Sequence, residues 1–435
     1  TVHFMSRISI LRACLLASFL MGCSHSETSA QSTSSLLVFR GISEQDQSRW
    51  VDSVYQSLDQ RGRVSQLIMP IIYPRPEDQS ALLKRLKVER WGGVLFQKGY
   101  LADQRALTIA LQEASSVPLL IALDGEWGLY MRLKDAPRYP RNKGLGDKQD
   151  LKLIQAYGAE VARQCQLMGI HVNFAPVVDV NSNPKNPVIG SRSFGDTPQR
   201  VIDCALAYGR GLEQGGVLSV VKHFPGHGDT SEDSHKTLPL VSASRERMQR
   251  LELAPFRSYF QAGLGGVMTA HLRVPAYDPS GKPASLSSPI TTDLLRQELQ
   301  FSGLVFTDAL EMKGAQVPPG SSLAVEALKA GNDILLGPHS PQQAVEEILS
   351  ALKRGEVTAE QIEMHCKRIL RFKYALIIKK TAHEASANEV KSLIWTPEEA
   401  SLRDRLWKAS GTTAPSSTDP TAGTPSLRLQ RPTKK

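Results

Sequence analysis

The chain has 435 residues, room for one large domain or two modest ones, and 41% hydrophobic with 22% charged residues excludes disorder throughout. Its formal charge of +9 is weighted toward the ends, on Arg7 and Arg12 near the start and on Arg428, Arg431, Lys434 and Lys435 in the tail. No basic run interleaved with aromatics occupies the middle, which argues against a nucleic-acid partner.

The first element in chain order is "SRISILRACLLASFLMGC", two arginines followed by an apolar run and small residues. Too short to span a bilayer comfortably, it reads as an export signal. The "LMGC" ending resembles a bacterial lipoprotein signal, which implies residues 1–23 as leader and Cys23 as the acylated first residue of the mature chain. The expectation is a protein exported and lipid-anchored at the bacterial cell envelope, facing the periplasm from the outer membrane, with no spanning helix. The polar stretch 24–35 reads as a tether, and the Pro-, Thr-, Ser- and Gly-rich stretch 409–435 as a disordered tail. Cys165, Cys204 and Cys366 form an odd, widely spaced set without a Cys-x-x-Cys pair, so they read as core residues rather than disulfides.

Between the ends a pattern repeats: a short apolar run, a polar turn, then a longer amphipathic stretch. The runs are "SQLIMPII", "GGVLFQ", "PLLIALDGE", "HVNFAPVVDV", "VLSVVKHFP", "GGVMTAHLRV", "GLVFTDALEM" and "NDILLG". Stretches such as "DLKLIQAYGAEVARQCQLMG" and "TPQRVIDCALAYGRGLEQGG" read as helices ending at glycine. Eight such runs alternating with helices predict an α/β fold, a TIM-type (β/α)8 barrel over residues 36–380. An open doubly wound sheet competes, but no Gly-rich dinucleotide turn follows the first run. Residues 381–408 read as a helical extension, or a remnant of a linker to a second domain.

Polar residues fall at one end of these runs. Asp124, Asp179, Lys222, His223, His271 and Asp308 lie at or just after their C-terminal ends, which converge on the catalytic face of a barrel. Asp179 and His271 read equally well as strand-end residues that hold loops. The segment "VVKHFPGHGDTSEDSHKTLPLV" crowds three histidines and several acids together. A His-x-x-x-His zinc site needs both rings on one helical face, yet His223 and His227 bracket Phe-Pro-Gly, which forbids a regular helix. No second Cys/His cluster joins them, so neither metal nor cofactor is expected. Asp233 and His235, one residue apart, suit proton transfer instead: in an extended segment both side chains point the same way, and the carboxylate can orient the imidazole. Asp308 could face that pair across the pocket, the arrangement for displacement at a sugar carbon.

"KHFPGHGDTSEDSH" and "LVFTDALEM", with "GGVLF", "DGEWGLYMRL", "NFAPVVDVN", "IGSRSFG", "MTAHLRVPAYD" and "PASLSSPITTDLLRQEL", resemble the family 3 glycoside hydrolases in their β-N-acetylglucosaminidase branch. The resemblance runs from about Ser65 to Tyr374. It implies a retaining mechanism on a barrel, with Asp308 as nucleophile, His235 as general acid/base and Asp233 as its partner. It implies substrate contacts from Asp124, Arg132, Arg192, Lys222 and His223; on their own, the two arginines read as surface or salt-bridge residues. His227 and Asp229 are expected to shape the loop. The implied substrate is a glycan ending in N-acetylglucosamine, such as a cell-wall fragment, and the implied state a monomer. Two departures stand out: Trp127 where the family has a small residue and Leu129 where it has a basic one, both expected at the rim. A second αβα domain, which the resemblance implies in many relatives, is not expected to be complete here.

Overall fold

The computed structural model describes residues 36–234, 236–379 and 385–414. Cys23, the leader, the tether, His235 and the tail from 415 lie outside the described residues.

Each of the eight apolar runs carries strand. The first holds two short pieces, β1 (Ile68–Met69) and β2 (Ile71–Ile72). Then follow β3 (Gly93–Phe96), β4 (Leu120–Leu123), β5 (Val172–Asn173), β6 (Leu218–Phe224), β7 (Gly266–Thr269), β8 (Leu304–Thr307) and β9 (Leu335–Leu336). Strands β2 to β8 form one curled parallel sheet in sequence order, and β1 pairs with β9. Pro70 divides the first run: it has no N–H for the ladder, although its carbonyl still accepts from Leu95 N at 2.9 Å. Strand β9 receives backbone bonds from β8, with Thr307 N donating to Ile334 O (3.0 Å), and gives them to β1, with Gly337 N donating to Met69 O (2.9 Å).

The strands are apolar because both of their faces are covered. Every residue of β4, β6, β7 and β8 is buried, as in a parallel sheet wrapped by helices. The two stretches read as helices are helical over Leu151–Leu167 and Pro198–Gln214. Asp150 caps the first by accepting from Leu153 N, and Pro198 opens the second, where a missing N–H costs nothing. The three cysteines are buried and unpaired, and burial pushes the thiols of Cys204 and Cys366 up to about 12. Residues past 385 form two helices, Val390–Ile394 and Pro397–Ser410. Among the described residues no helix is long and apolar enough to cross a membrane.

Candidate functional site: charged residues at the strand ends

Asp124 directly follows β4, and Lys222 lies late in β6. Lys222 Nζ donates to Asp124 Oδ1 (2.9 Å) and to Glu126 Oε1 (2.8 Å). Arg132 Nη2 donates to the other oxygen of Asp124 at 2.5 Å. Arg192 forks onto Glu126, Nε to Oε2 at 2.9 Å and Nη2 to Oε1 at 2.7 Å. Two carboxylates and three cations thus form one continuous buried cluster. Burial alone would raise both acids, but Lys222 and Arg132 hold Asp124 well below the ordinary carboxylate range, and Arg192 and Lys222 do the same for Glu126. The Nε–H of Arg132 is buried and has no hydrogen-bond partner among the described residues. A buried donor of this kind is costly unless a ligand completes it.

His223 sits where the pairing of β6 with β7 slips register, between Val221 and Phe224. Three cis peptides, Ala175–Pro176, Lys222–His223 and Phe224–Pro225, lie beside this turn of the chain. His223 Nδ1 faces Asp179 Oδ2 at 2.7 Å, while its Nε2 faces Arg192 Nη2 at 3.3 Å. A guanidinium can only donate, so Nε2 accepts and the ring proton resides on Nδ1, donated to Asp179. Asp179 also accepts from the backbone N–H of His223 and from that of His227 at 2.6 Å. It is fully buried, so its role is to hold the loop and the His223 tautomer. His271, the other residue left open by the sequence, is equally buried; its ring bridges Ser285 Oγ (2.7 Å) and the carbonyl of Ala309 (3.0 Å), next to Asp308.

The loop after β6 is fixed from beneath. Gly228 allows close approach to Val180, since a Cβ there would lie 1.8 Å from its carbonyl oxygen. His227 is buried, with Nδ1 against Thr230 Oγ1 (2.7 Å) and Nε2 against Ser234 Oγ (3.1 Å). Burial and the neighbouring His223 lower its ring to about 4, so it is neutral at ordinary pH. Asp229 pairs with Arg247 (2.8 Å). Around Asp233 the segment is not extended: its carbonyl accepts from Lys236 N (2.9 Å) and Thr237 N (3.0 Å), which curls the chain into a turn. The alternation argument for Asp233 and His235 therefore does not apply, because strand periodicity requires extended backbone. Asp233 itself is half-buried, and His235 lies outside the described residues.

Asp308 follows β8. Its N–H donates to Thr269 O (2.8 Å), and its carboxylate accepts from Ala309 N (2.8 Å). The loop carrying Asp308 meets the β6 loop, because Gly314 N donates to Ser234 O at 3.2 Å.

One participant escaped the sequence reading. Glu126 is the acid that Arg192 and Lys222 share, and its signal was present: a second carboxylate two residues past Asp124, at the end of the same buried run. Of the two departures at the rim, Trp127 is half-buried with the Arg141 guanidinium 3.5 Å above its ring. Leu129 is fully buried and so is not a rim residue; its apolar side chain joins the core, which a charged one could not. Among the described residues, no group of three or more His, Cys, Asp or Glu is placed to hold a metal ion.

The comparisons with known proteins agree on a family. Residues 59–372 match the "Glycosyl hydrolase family 3 N terminal domain". The chain is 36% identical over 334 residues to a "Beta-hexosaminidase A" of Pseudoalteromonas piscicida, covering 69% of this chain and 56% of that protein. It thus spans little more than half the length of that relative. Among solved structures it is similar to a glycoside hydrolase family 3 beta-N-acetylglucosaminidase from Paenibacillus sp. str. FPU-7, with TM-score 0.74, 35% identity, and coverage of 81% of this chain and 69% of that one. A "Beta-glucoside phosphorylase BglX" aligns with TM-score 0.78 at 26% identity, over 86% of this chain and 69% of that one. The residues that gather at the strand ends therefore sit within a recognised domain, and the chain belongs to glycosyl hydrolase family 3.

Proposed function

We propose that this protein is a retaining exo-β-N-acetylglucosaminidase that removes terminal N-acetylglucosamine from peptidoglycan fragments without a cofactor, acting as a monomer. The observation that carries this reading is the buried cluster of Asp124, Glu126, Lys222, Arg132 and Arg192 at the strand ends, in a chain whose relatives are hexosaminidases. Such a set can grip sugar hydroxyls from several sides: carboxylates fixed by ion pairs still offer lone pairs, and the unpartnered Nε–H of Arg132 offers a donor. His223, with its Nδ1–H donated to Asp179, adds a further polar contact. A closed (β/α)8 barrel suits this placement, and the backbone bonds that β9 shares with β8 and β1 support it.

In the proposed reaction Asp308 attacks the anomeric carbon. The glycosidic C–O bond breaks, its electrons pass to the leaving oxygen, and His235 supplies the proton. The resulting glycosyl–aspartate is then attacked by water, with His235 taking the proton and Asp308 leaving. Asp233 orients and charges the imidazole. His227 and Ser234 anchor the β6 loop next to this pair.

The leader supports an exported protein anchored through an acylated Cys23 at the cell envelope; membrane partitioning of wild type but not Cys23→Ser tests that part. A β-glucosidase-type exo-glycosidase is the second reading, favoured by the likeness to the beta-glucoside phosphorylase. Turnover of nitrophenyl N-acetyl-β-glucosaminide and nitrophenyl β-glucoside, each with and without phosphate, decides between them. Clear preference for the glucoside would overturn the proposal.

A further inference from the structure

The segment from Ala385 to Ser410 lies beyond the family match, which ends at residue 372, and it grips the loop that carries Arg132. Two indoles reach from it to backbone carbonyls of that loop. Trp395 Nε1 donates to Asp135 O and Trp407 Nε1 donates to Arg138 O, each at 3.0 Å. Lys391 adds an ion pair with Asp135 at 3.7 Å, and Asp135 in turn accepts from Leu101 N. The segment is itself fixed to the barrel's helices. Arg163, on the helix Leu151–Leu167, donates to the carbonyls of Leu393 (2.8 Å) and Ile394 (3.1 Å), and Arg105 donates to Ala385 O (2.6 Å). Val390, Ile394 and Leu406 are fully buried. These are contacts of a packed element, not of a passive linker.

The same loop also carries one end of an aromatic column. Tyr139, Tyr157 and Tyr208 follow one another at centroid distances of 4.9 and 5.2 Å, and Tyr208 Oη donates to Gly125 O, one residue past Asp124. At the near end Tyr139 lies against Gly128, where a Cβ would come within 2.6 Å of its ring and where φ is +82°. The loop from Gly125 to Arg141, with Glu126 and Arg132 on it, is thus held by the column through Tyr208 and by the two indoles.

We propose that this C-terminal segment is a clasp that positions Arg132 against Asp124, and through it sets the affinity of the site for sugar. Trp395 and Trp407 are positioning residues. The inference rests on the reading of Arg132 as a substrate contact. A loop pinned at two carbonyls holds a half-buried guanidinium in one place; released, it samples poses in which Nη2 and the unpartnered Nε–H no longer converge.

The test uses the full chain with Trp395→Phe and Trp407→Phe together, which keep an aromatic ring at each position and remove the two donors along with the second ring of each indole. KM for nitrophenyl N-acetyl-β-glucosaminide should rise about five- to tenfold, the order expected for two hydrogen bonds, with kcat changed less than about threefold. In an Arg132→Ala background the same pair should add less than about twofold, because both changes act on one interaction. Backbone hydrogen exchange over 126–141 should quicken while the helix Leu151–Leu167 stays protected. An unchanged KM, a full additive effect in the Arg132→Ala background, or unaltered exchange over 126–141 overturns the clasp. If the wild type turns over neither sugar substrate, the proposed function falls instead, and the exchange measurement still decides the clasp alone.

Discussion

Arg192 and Glu126 meet through two hydrogen bonds, 2.9 and 2.7 Å, with the glutamate fully buried and Lys222 Nζ sharing its Oε1. The carboxylate therefore bridges the two cations, and its loss would leave them facing each other with little water to screen them. Glu126→Ala should destabilise the fold by about 3–5 kcal/mol, the usual cost of breaking a buried pair from one side. Glu126→Gln should cost less, since the carbonyl still accepts. Urea midpoints measure both, and Glu126→Leu with Arg192→Met should recover part of the loss. A midpoint for Glu126→Ala equal to wild type would refute the account of this cluster.

Asp308 stands at the end of β8, half-buried, with one carboxylate oxygen on the next backbone N–H. A half-buried carboxylate at a strand end contributes little packing, so Asp308→Ala should fold normally. If it is the nucleophile, kcat should fall by at least about a thousandfold. Substantial turnover by a well-folded variant removes it from that role.

His235 and His227 should separate by leaving group. A nitrophenolate departs without a proton, whereas a sugar alkoxide does not. His235→Ala should slow a natural disaccharide far more than glycosylation by the nitrophenyl substrate, and azide should rescue turnover of the latter. Asp233→Ala should give a milder version. His227 is buried between Thr230 and Ser234; if it serves only to anchor the loop, His227→Ala should harm both substrates about equally. Leaving-group dependence in His227→Ala would mean that the roles are exchanged.

His227 also predicts a pH dependence of stability. Burial lowers its ring from the ordinary 6.5 to about 4, so between those values the unfolded chain binds the proton that the folded chain refuses. Stability contributed by the neutral ring is complete above about pH 6.5 and is lost progressively as pH falls toward 4, by up to about 3 kcal/mol. His365, also buried and also lowered, tilts the curve the same way, so the comparison must be with a variant. His227→Gln should be less stable at pH 7.5 yet show a flatter decline to pH 4.5 in urea titrations. Parallel curves for the two proteins would show that His227 titrates in the folded state as it does in the unfolded one.

Much of this molecule is written locally. Strand runs, helix stops and the polar residues at their ends follow from period, propensity and the chemistry of Gly and Pro, so all eight runs could be placed in advance. Even the split of the first strand has a local cause, since Pro70 cannot donate to a ladder. Asp124, Lys222 and Asp308 were legible for the same reason, since a charged side chain ending a buried apolar run has few explanations, whereas Arg132 and Arg192 came only from the family resemblance. The sequence could not say who pairs with whom. Glu126 becomes a partner only because β4 and β6 bring it to Lys222, nearly a hundred residues away, while Arg192 approaches from a third segment. The curl at Asp233 is set by two backbone bonds that no alternation rule reports. Leu129 left the rim for the core because the turn after Glu126 folds inward. The reach of Trp395 and Trp407 across more than 250 residues to the Arg132 loop is likewise a product of packing. Local chemistry fixes what each segment can become; only the closure of distant segments around one core decides which charges are left to neutralise one another, and which donor is left for a ligand.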